Sequence, residues 1–123
     1  MNQKHKTERK ISMKNVTNDF KIFMEESNGV GQAFMSTVMK ISEVSALEPK
    51  THELAYISVL AALQMVSGLP FHVKQAKELG ASLEEVKSAI LVGTPIIGLR
   101  ISPSFAIAIN AYNSEAPSEN TNN

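Results

Sequence analysis

Cysteine and tryptophan are both missing from this chain of 123 residues, and aspartate occurs only at Asp19. Without cysteine, the chain has no thiol of its own for disulfide, thiolate-metal or peroxide chemistry. Its formal net charge is zero, so it lacks an overall attraction for nucleic acid or an anionic membrane. No run of about 18 consecutive apolar residues argues for a membrane span. We therefore expect a cytoplasmic protein that binds neither nucleic acid nor membrane.

The distribution of polar and apolar residues predicts one domain between two tails. Residues 1–14 carry five basic side chains and one acidic side chain, and we interpret them as a flexible, solvated tail. Residues 114–123 are rich in Ser, Asn and Glu, a composition typical of disorder. The middle of the chain, residues 15–113, holds most of the 43% hydrophobic residues and is long enough to form a core.

The middle of the chain has helical periodicity and no useful strand alternation, so we predict an all-α bundle of about six short helices. Thr17 or Asn18 is expected to cap the first helix, and Ser82 with Glu85 forms a predicted capping box. Gly80 suits a left-handed residue after a helix. We leave Ile96 to Ile101 open, as a short helix or an extended stretch. The other predicted helices are Gly31 to Val44, about 50 to 67, Pro70 to Leu79, Leu83 to about Val92, and Phe105 to Tyr112.

The third predicted helix carries the most interesting acid. It has no charge from Leu54 to Val66, so we expect neighbours to cover most of its sides. Glu53 lies one turn inside its start and shares a predicted stripe with Ile57, Leu60, Gln64 and Ser67. If Glu53 is buried, its carboxylate needs a partner. The alternative is that Glu53 is partly exposed and only interacts favourably with the helix dipole near the N-terminus.

His72 is the natural partner for Glu53, because the chain turns at Gly68 and the next helix returns beside the third. The two side chains would form a pair suited to proton transfer; alternatively, His72 only packs at its own helix start. Arg100 is a weaker candidate for binding a carboxylate ligand, with pairing to an acid or exposure to solvent as its alternatives. Metal sites need clustered ligands, and the spacing of the histidines predicts no metal and no cofactor.

These residues resemble the carboxymuconolactone decarboxylase family, which includes the alkylhydroperoxidase-D-like proteins. The most specific part is His72 followed by Gly80-Ala81-Ser82-Leu83-Glu84-Glu85-Val86, and the resemblance covers roughly residues 16–113. It implies the small helical fold of that family. Family members are usually trimers or hexamers, so we expect a homotrimer or homohexamer, and the apolar surface of a small domain supports self-association.

The peroxide-reducing branch of this family has the pattern Glu, eleven residues, Cys, two residues, Cys, three residues, His. Aligned on His72, the pattern places its Glu at Glu53, and the two cysteine positions hold Met65 and Gly68. Thiol peroxidase chemistry needs a thiolate and a resolving thiol, so that activity is not expected. The decarboxylase branch does not depend on the cysteine pair. The resemblance implies that there His72 would donate a proton, Glu53 would orient it, and Arg100 or Gln64 would contact the substrate.

Two functions from different classes follow. One is an enzyme, a lyase without cysteine that acts by Glu/His proton transfer on a small carboxylic acid or lactone. The other is a non-catalytic oligomeric scaffold or small-ligand-binding module that has lost the family's peroxidase activity. A Glu53–His72 pair in an accessible pocket would favour the enzyme, and a pocket filled by Met65 and Phe71 would favour the scaffold.

Overall fold

A computed structural model describes residues 16–114 of the chain. The tail predicted over residues 1–14, and residues 115–123 of the predicted C-terminal tail, lie outside the described residues. Residues 16–114 are helical and contain no strand, which confirms the all-α prediction. The α-helices are α1 Asn18–Glu26, α2 Val30–Val44, α3 Pro49–Ala62, α4 Leu69–Glu78, α5 Leu83–Leu91, α6 Thr94–Ile97 and α7 Ser102–Asn113, with 3₁₀ turns at Val66–Gly68 and Gly98–Ile101.

Several helix ends follow the predicted sequence signals. The Thr17 hydroxyl accepts a hydrogen bond from the Phe20 amide and caps α1. Ser82 and Glu85 form the predicted capping box at the start of α5. Gly80 has a φ of 98° and ends α4, as a residue without a Cβ does most easily. The segment left open between Ile96 and Ile101 belongs to α6 and the 3₁₀ turn that follows it.

The prediction for the third helix was wrong at its end, because α3 stops at Ala62 rather than near residue 67. The Gln64 amide donates to the Ala61 carbonyl and the Met65 amide to the Leu60 carbonyl, which is the Schellman arrangement that ends helices. Gln64 takes the left-handed conformation, with a φ of 60°, where glycine is usual. The predicted stripe from Glu53 therefore does not continue to Gln64 and Ser67.

Four helices form the core, with α3 and α7 each packed against both α4 and α5. Ile57 of α3, Leu69 and Val73 of α4, and Ile90 of α5 are completely buried there. The expected cover over most of α3 is absent in the single chain, because Val59 and Leu63 on its outer side are exposed. The core thus buries one side of α3 and leaves the opposite side apolar and open.

The α1–α2 hairpin lies at the edge of this core, and its helices pack mainly against each other. At their closest approach, Gly31 is buried against Met24, where a Cβ would come within 2.9 Å of the Met24 Cα atom. Several large apolar side chains of the hairpin are exposed, among them Phe34 and Ile41.

One stretch, Leu83–Asn113, has the length and composition to cross a membrane, and an 18-residue window within it has a mean hydropathy of 1.6. In the fold this stretch is divided among α5, α6, a 3₁₀ turn and α7. Because α7 returns to pack against α5, these residues build part of the core and do not form one continuous helix.

Candidate functional site

Glu53 on α3 and His72 on α4 are in direct contact. The His72 Nδ1 atom is hydrogen-bonded to Glu53 Oε2. A carboxylate can only accept, so the imidazole Nδ1–H is the donor. Only 13% of the Glu53 side chain and 21% of the His72 side chain are exposed, which leaves each as the main polar partner of the other.

The backbone brings these two residues together through a tight α3–α4 turn. The Schellman end of α3 and the 3₁₀ turn Val66–Gly68 reverse the chain within a few residues. Glu53 lies one turn before the buried Ile57, and His72 directly precedes the buried Val73. Because these two aliphatic side chains are packed in the core, they fix the positions along α3 and α4 of the neighbouring carboxylate and imidazole.

Two aromatic side chains pack against the His72 ring: Tyr56, which the sequence did not indicate, and Phe71, which was considered only as a residue that could fill the pocket. Tyr56 stacks on it with ring centroids 4.1 Å apart and an interplanar angle of 18°. Phe71 meets it edge-on at 5.0 Å. Burial raises the pKa of the Tyr56 phenol, and the negative charge of Glu53 raises it further. The available signal was spacing, since Tyr56 follows Glu53 by three residues and so lies on the same side of the helix.

A cavity of about 230 Å³ lies between the α1–α2 hairpin and the α3–α4 turn, and His72 forms part of its wall. The hairpin side is mostly apolar and is formed by Val16, Thr17, Phe20, Phe34, Met35 and Val38. The opposite side is formed by Tyr56, Ser67, Gly68, Phe71 and His72. His72 thus contacts Glu53 through Nδ1 and also borders a space large enough for a small molecule.

The remaining candidate residues lie in different surroundings. Gly68, the second missing cysteine position, lines the cavity, whereas Met65, the first, is exposed and does not. Gln64 is exposed in the turn after α3 and is not part of the cavity wall. Arg100 is exposed on the 3₁₀ turn after α6, where its Nε atom donates to the Ile97 carbonyl. The structure therefore joins Glu53 to His72 and leaves Gln64 and Arg100 outside this cavity.

Clustered metal ligands are not found within residues 16–114, where no three His, Asp or Glu side chains are placed to hold an ion. His52 lies apart from the Glu53–His72 pair, with its Nδ1 atom 3.2 Å from the Ser45 hydroxyl oxygen. The chemistry available at the cavity therefore comes from the imidazole, the phenol and the hydroxyl groups of its wall.

Comparison with known proteins identifies the family of the chain. The profile described as the carboxymuconolactone decarboxylase family matches residues 29–109, a range that contains both Glu53 and His72. No curated protein and no solved structure gives a significant match. The match extends over most of the chain, including α3, α4, α5 and all but the last turn of α7, so the chain belongs to the carboxymuconolactone decarboxylase family, as a member without cysteine.

Proposed function

We propose that this protein is a lyase that uses His72 and Glu53 for proton transfer to a small carboxylic acid or lactone bound in the cavity. The observation that carries the proposal is the position of the His72 ring, which contacts Glu53 through Nδ1 and borders the cavity. Membership of the decarboxylase family supports the reaction class. A cytoplasmic location is part of the same proposal.

The hydrogen bond assigns separate tasks to the two ring nitrogens. Whether the imidazole is neutral or protonated, Nδ1–H can donate to Glu53, and Nε2 is the atom that gains or loses the proton. An imidazolium Nε2–H would serve as a general acid toward a bound molecule. Glu53 would stabilise the protonated ring and keep its orientation, so it is a positioning residue.

In the proposed decarboxylation, the bond between the carboxylate carbon and its neighbour breaks and CO₂ leaves. The electron pair of that bond enters the conjugated system of an unsaturated acid or lactone and gives a dienolate. The His72 Nε2–H then protonates carbon, and solvent returns a proton to Nε2. The sum is one carboxylate and one proton converted to CO₂ and the protonated product, without any thiol.

A panel of small unsaturated acids and lactones tests this proposal by CO₂ release. The variants are His72→Ala, Glu53→Gln, and the control His52→Ala, which removes the histidine that contacts Ser45. We expect His72→Ala to lower kcat by about 100-fold or more and Glu53→Gln by a smaller factor, with His52→Ala unchanged. Equal behaviour of the wild type and His72→Ala on every compound would overturn the lyase assignment.

A second candidate is a non-catalytic oligomeric scaffold or small-ligand-binding module that has lost peroxidase activity. Exposed apolar side chains favour it, because Ile96 is 79% and Leu99 is 85% exposed in the single chain. Such side chains are typical of protein contacts. Ligand binding that persists in His72→Ala, with no turnover by the wild type, would favour this module over the lyase.

Both candidates include self-association, and we propose a homotrimer or homohexamer. Exposed apolar side chains on the hairpin and around α6 provide the surfaces. Sedimentation equilibrium of the full chain is expected to give three or six copies. Ile41→Asp should weaken the assembly, and the matched control Ser36→Asp adds the same charge at an exposed polar position of α2. A wild-type monomer at all concentrations tested would contradict self-association.

A further inference from the structure

We infer that the cavity binds a mostly apolar molecule of about one ring that carries a single anionic group, and that it binds dicarboxylates more weakly. This inference deepens the proposed function, because it names the substrate class of the His72 site. It concerns binding, so it can be tested without turnover.

The size and wall of the cavity set the first limit. Engineered cavities of about 150 Å³ hold benzene, and this cavity of about 230 Å³ has room for one ring with a short substituent. Phe20, Phe34, Met35 and Val38 of the hairpin form an apolar wall opposite the α3–α4 turn. Such a wall favours an apolar body over a polar sugar or a peptide.

Charge sets the second limit. No lysine or arginine within residues 16–114 lines the cavity, and His72 is the one described wall side chain that can carry a positive charge. Glu53 adds a negative charge directly behind it. A single ligand carboxylate can be paired with the His72 Nε2–H, whereas a second would find no cationic partner among the described wall residues and would border mostly apolar side chains, which is unfavourable.

Residue 68 offers a test of the ligand's position in the cavity. Gly68 lines the cavity, and a Cβ built there would meet its nearest neighbour, Leu60 Cδ1, at an ordinary 3.7 Å. Its φ of −89° is also accessible to any residue. The backbone therefore does not require glycine at this position, and residue 68 contributes only backbone to the cavity wall. A bulkier residue at position 68 tests directly whether the ligand lies against this part of the wall.

Calorimetric titration of the full chain with three related probes tests the inference. Benzoate carries one carboxylate on a ring, phthalate adds a second carboxylate, and methyl benzoate removes the charge. We expect phthalate to bind at least about tenfold more weakly than benzoate, and His72→Ala to reduce benzoate binding to the level of methyl benzoate. The control His52→Ala should leave the order unchanged. Phthalate binding as tightly as benzoate, or no binding of either ring acid, would overturn the inference.

A graded substitution at residue 68 tests the position of the ligand. Gly68→Ala should weaken benzoate binding slightly and Gly68→Val strongly, while hydrogen-exchange protection of the core amides shows that each variant is folded. Unchanged benzoate affinity in a folded Gly68→Val protein would place the ligand elsewhere and contradict the inference. Failure of the proposed lyase activity would appear differently, as tight benzoate binding without CO₂ release from any acid of the panel.

Discussion

The four-helix core of α3, α4, α5 and α7 and the α1–α2 hairpin have similar helical patterns but differ in burial. Ile57 of the core is 0% exposed, whereas Ile41 of the hairpin is 53% exposed. In the hairpin, Gly31 is the buried residue of α2, and α1 contains none. Apolar periodicity therefore predicts which side of a helix is buried against another surface, but not whether that surface belongs to the same chain.

The cavity lies where these two regions meet, which connects the difference in burial to function. The core side supplies His72 and its partner Glu53, whose positions follow from fully buried neighbours. The hairpin side supplies the apolar wall. The residues proposed to transfer the proton and the apolar wall of the cavity thus come from different regions. The following predictions test this division.

Truncating the same residue type in both regions should give the largest contrast. Ile57→Ala removes completely buried atoms and is expected to lower the free energy of unfolding by about 2–5 kcal/mol. Ile41→Ala should lower it by less than about 1 kcal/mol in dilute solution. Urea unfolding at several protein concentrations measures both. An Ile41→Ala loss that grows with concentration would reveal an intermolecular contact, while equal losses in dilute solution would contradict the division.

Gly31 offers a way to separate the hairpin helices without touching the core. In Gly31→Ala, the new Cβ would come within 2.9 Å of the Met24 Cα atom, which is backbone and cannot move alone. We expect a loss of about 1–3 kcal/mol, with increased amide exchange in α1 and α2 but not in α3 to α5. Gly68→Ala is the control, because its Cβ meets only ordinary contacts. Exchange that rises equally in the core would contradict an independent hairpin.

The core and the hairpin each contain one turn in which a residue other than glycine has a positive φ, so the two turns can be compared. Gln64 ends α3 with a φ of 60°, and Asn28 joins α1 to α2 with a φ of 54°. Gln64→Gly should stabilise the protein by about 1 kcal/mol by removing the left-handed strain of a residue with a long side chain. Asn28→Gly should change little, since asparagine tolerates this conformation. Thermal unfolding measures both, and destabilisation by Gln64→Gly would be inconsistent with this reading of the turn.

Tyr56 should give the smallest effect, confined to alkaline pH. Its pKa is raised by burial and by Glu53, so the folded state holds the phenol proton more tightly than the unfolded state. This pKa difference contributes to the free energy of unfolding. The contribution is complete below the ordinary tyrosine pKa of about 10 and is lost as pH rises through the pKa of Tyr56 in the folded state. Tyr56→Phe should remove this loss of stability at alkaline pH. It should also remove the part of the phenolate absorbance that develops only above the ordinary tyrosine pKa. A variant that still shows both would contradict the assignment to Tyr56.

The sequence predicted most of the fold because its helix ends carry local signals. Thr17, Ser82 with Glu85, and Gly80 all act where their chemistry suggested. The end of α3 could not be predicted, because Gln64 adopts the left-handed conformation and a glycine, the usual sequence signal for that conformation, is absent there. Pairing across the chain, such as the stacking of Tyr56 on His72, depends on how two helices dock and has no signature within either one.

The pairing of Glu53 with His72 was predicted from the chain reversal at Gly68 and again from the family spacing, and the structure places both side chains in contact. Arg100 could not be located in the same way, since a lone arginine carries no information on which surface its helix presents. The structure puts it on an exposed turn away from the cavity wall. Single residues therefore gave weaker predictions than residue pairs at a defined spacing.

Long-range ¹H–¹⁵N correlation spectra of the histidine rings, with and without benzoate, test the role of His72 most directly. The signals that disappear in the His72→Ala variant are assigned to the His72 ring. The predicted result is a proton on Nδ1 throughout, accepted by Glu53, with the Nε2 resonance shifting on addition of benzoate and shifting less in Glu53→Gln, whose side-chain oxygen still accepts from Nδ1 but carries no charge. A ring protonated at Nε2 alone, with no shift at any benzoate concentration, would contradict the proposed site.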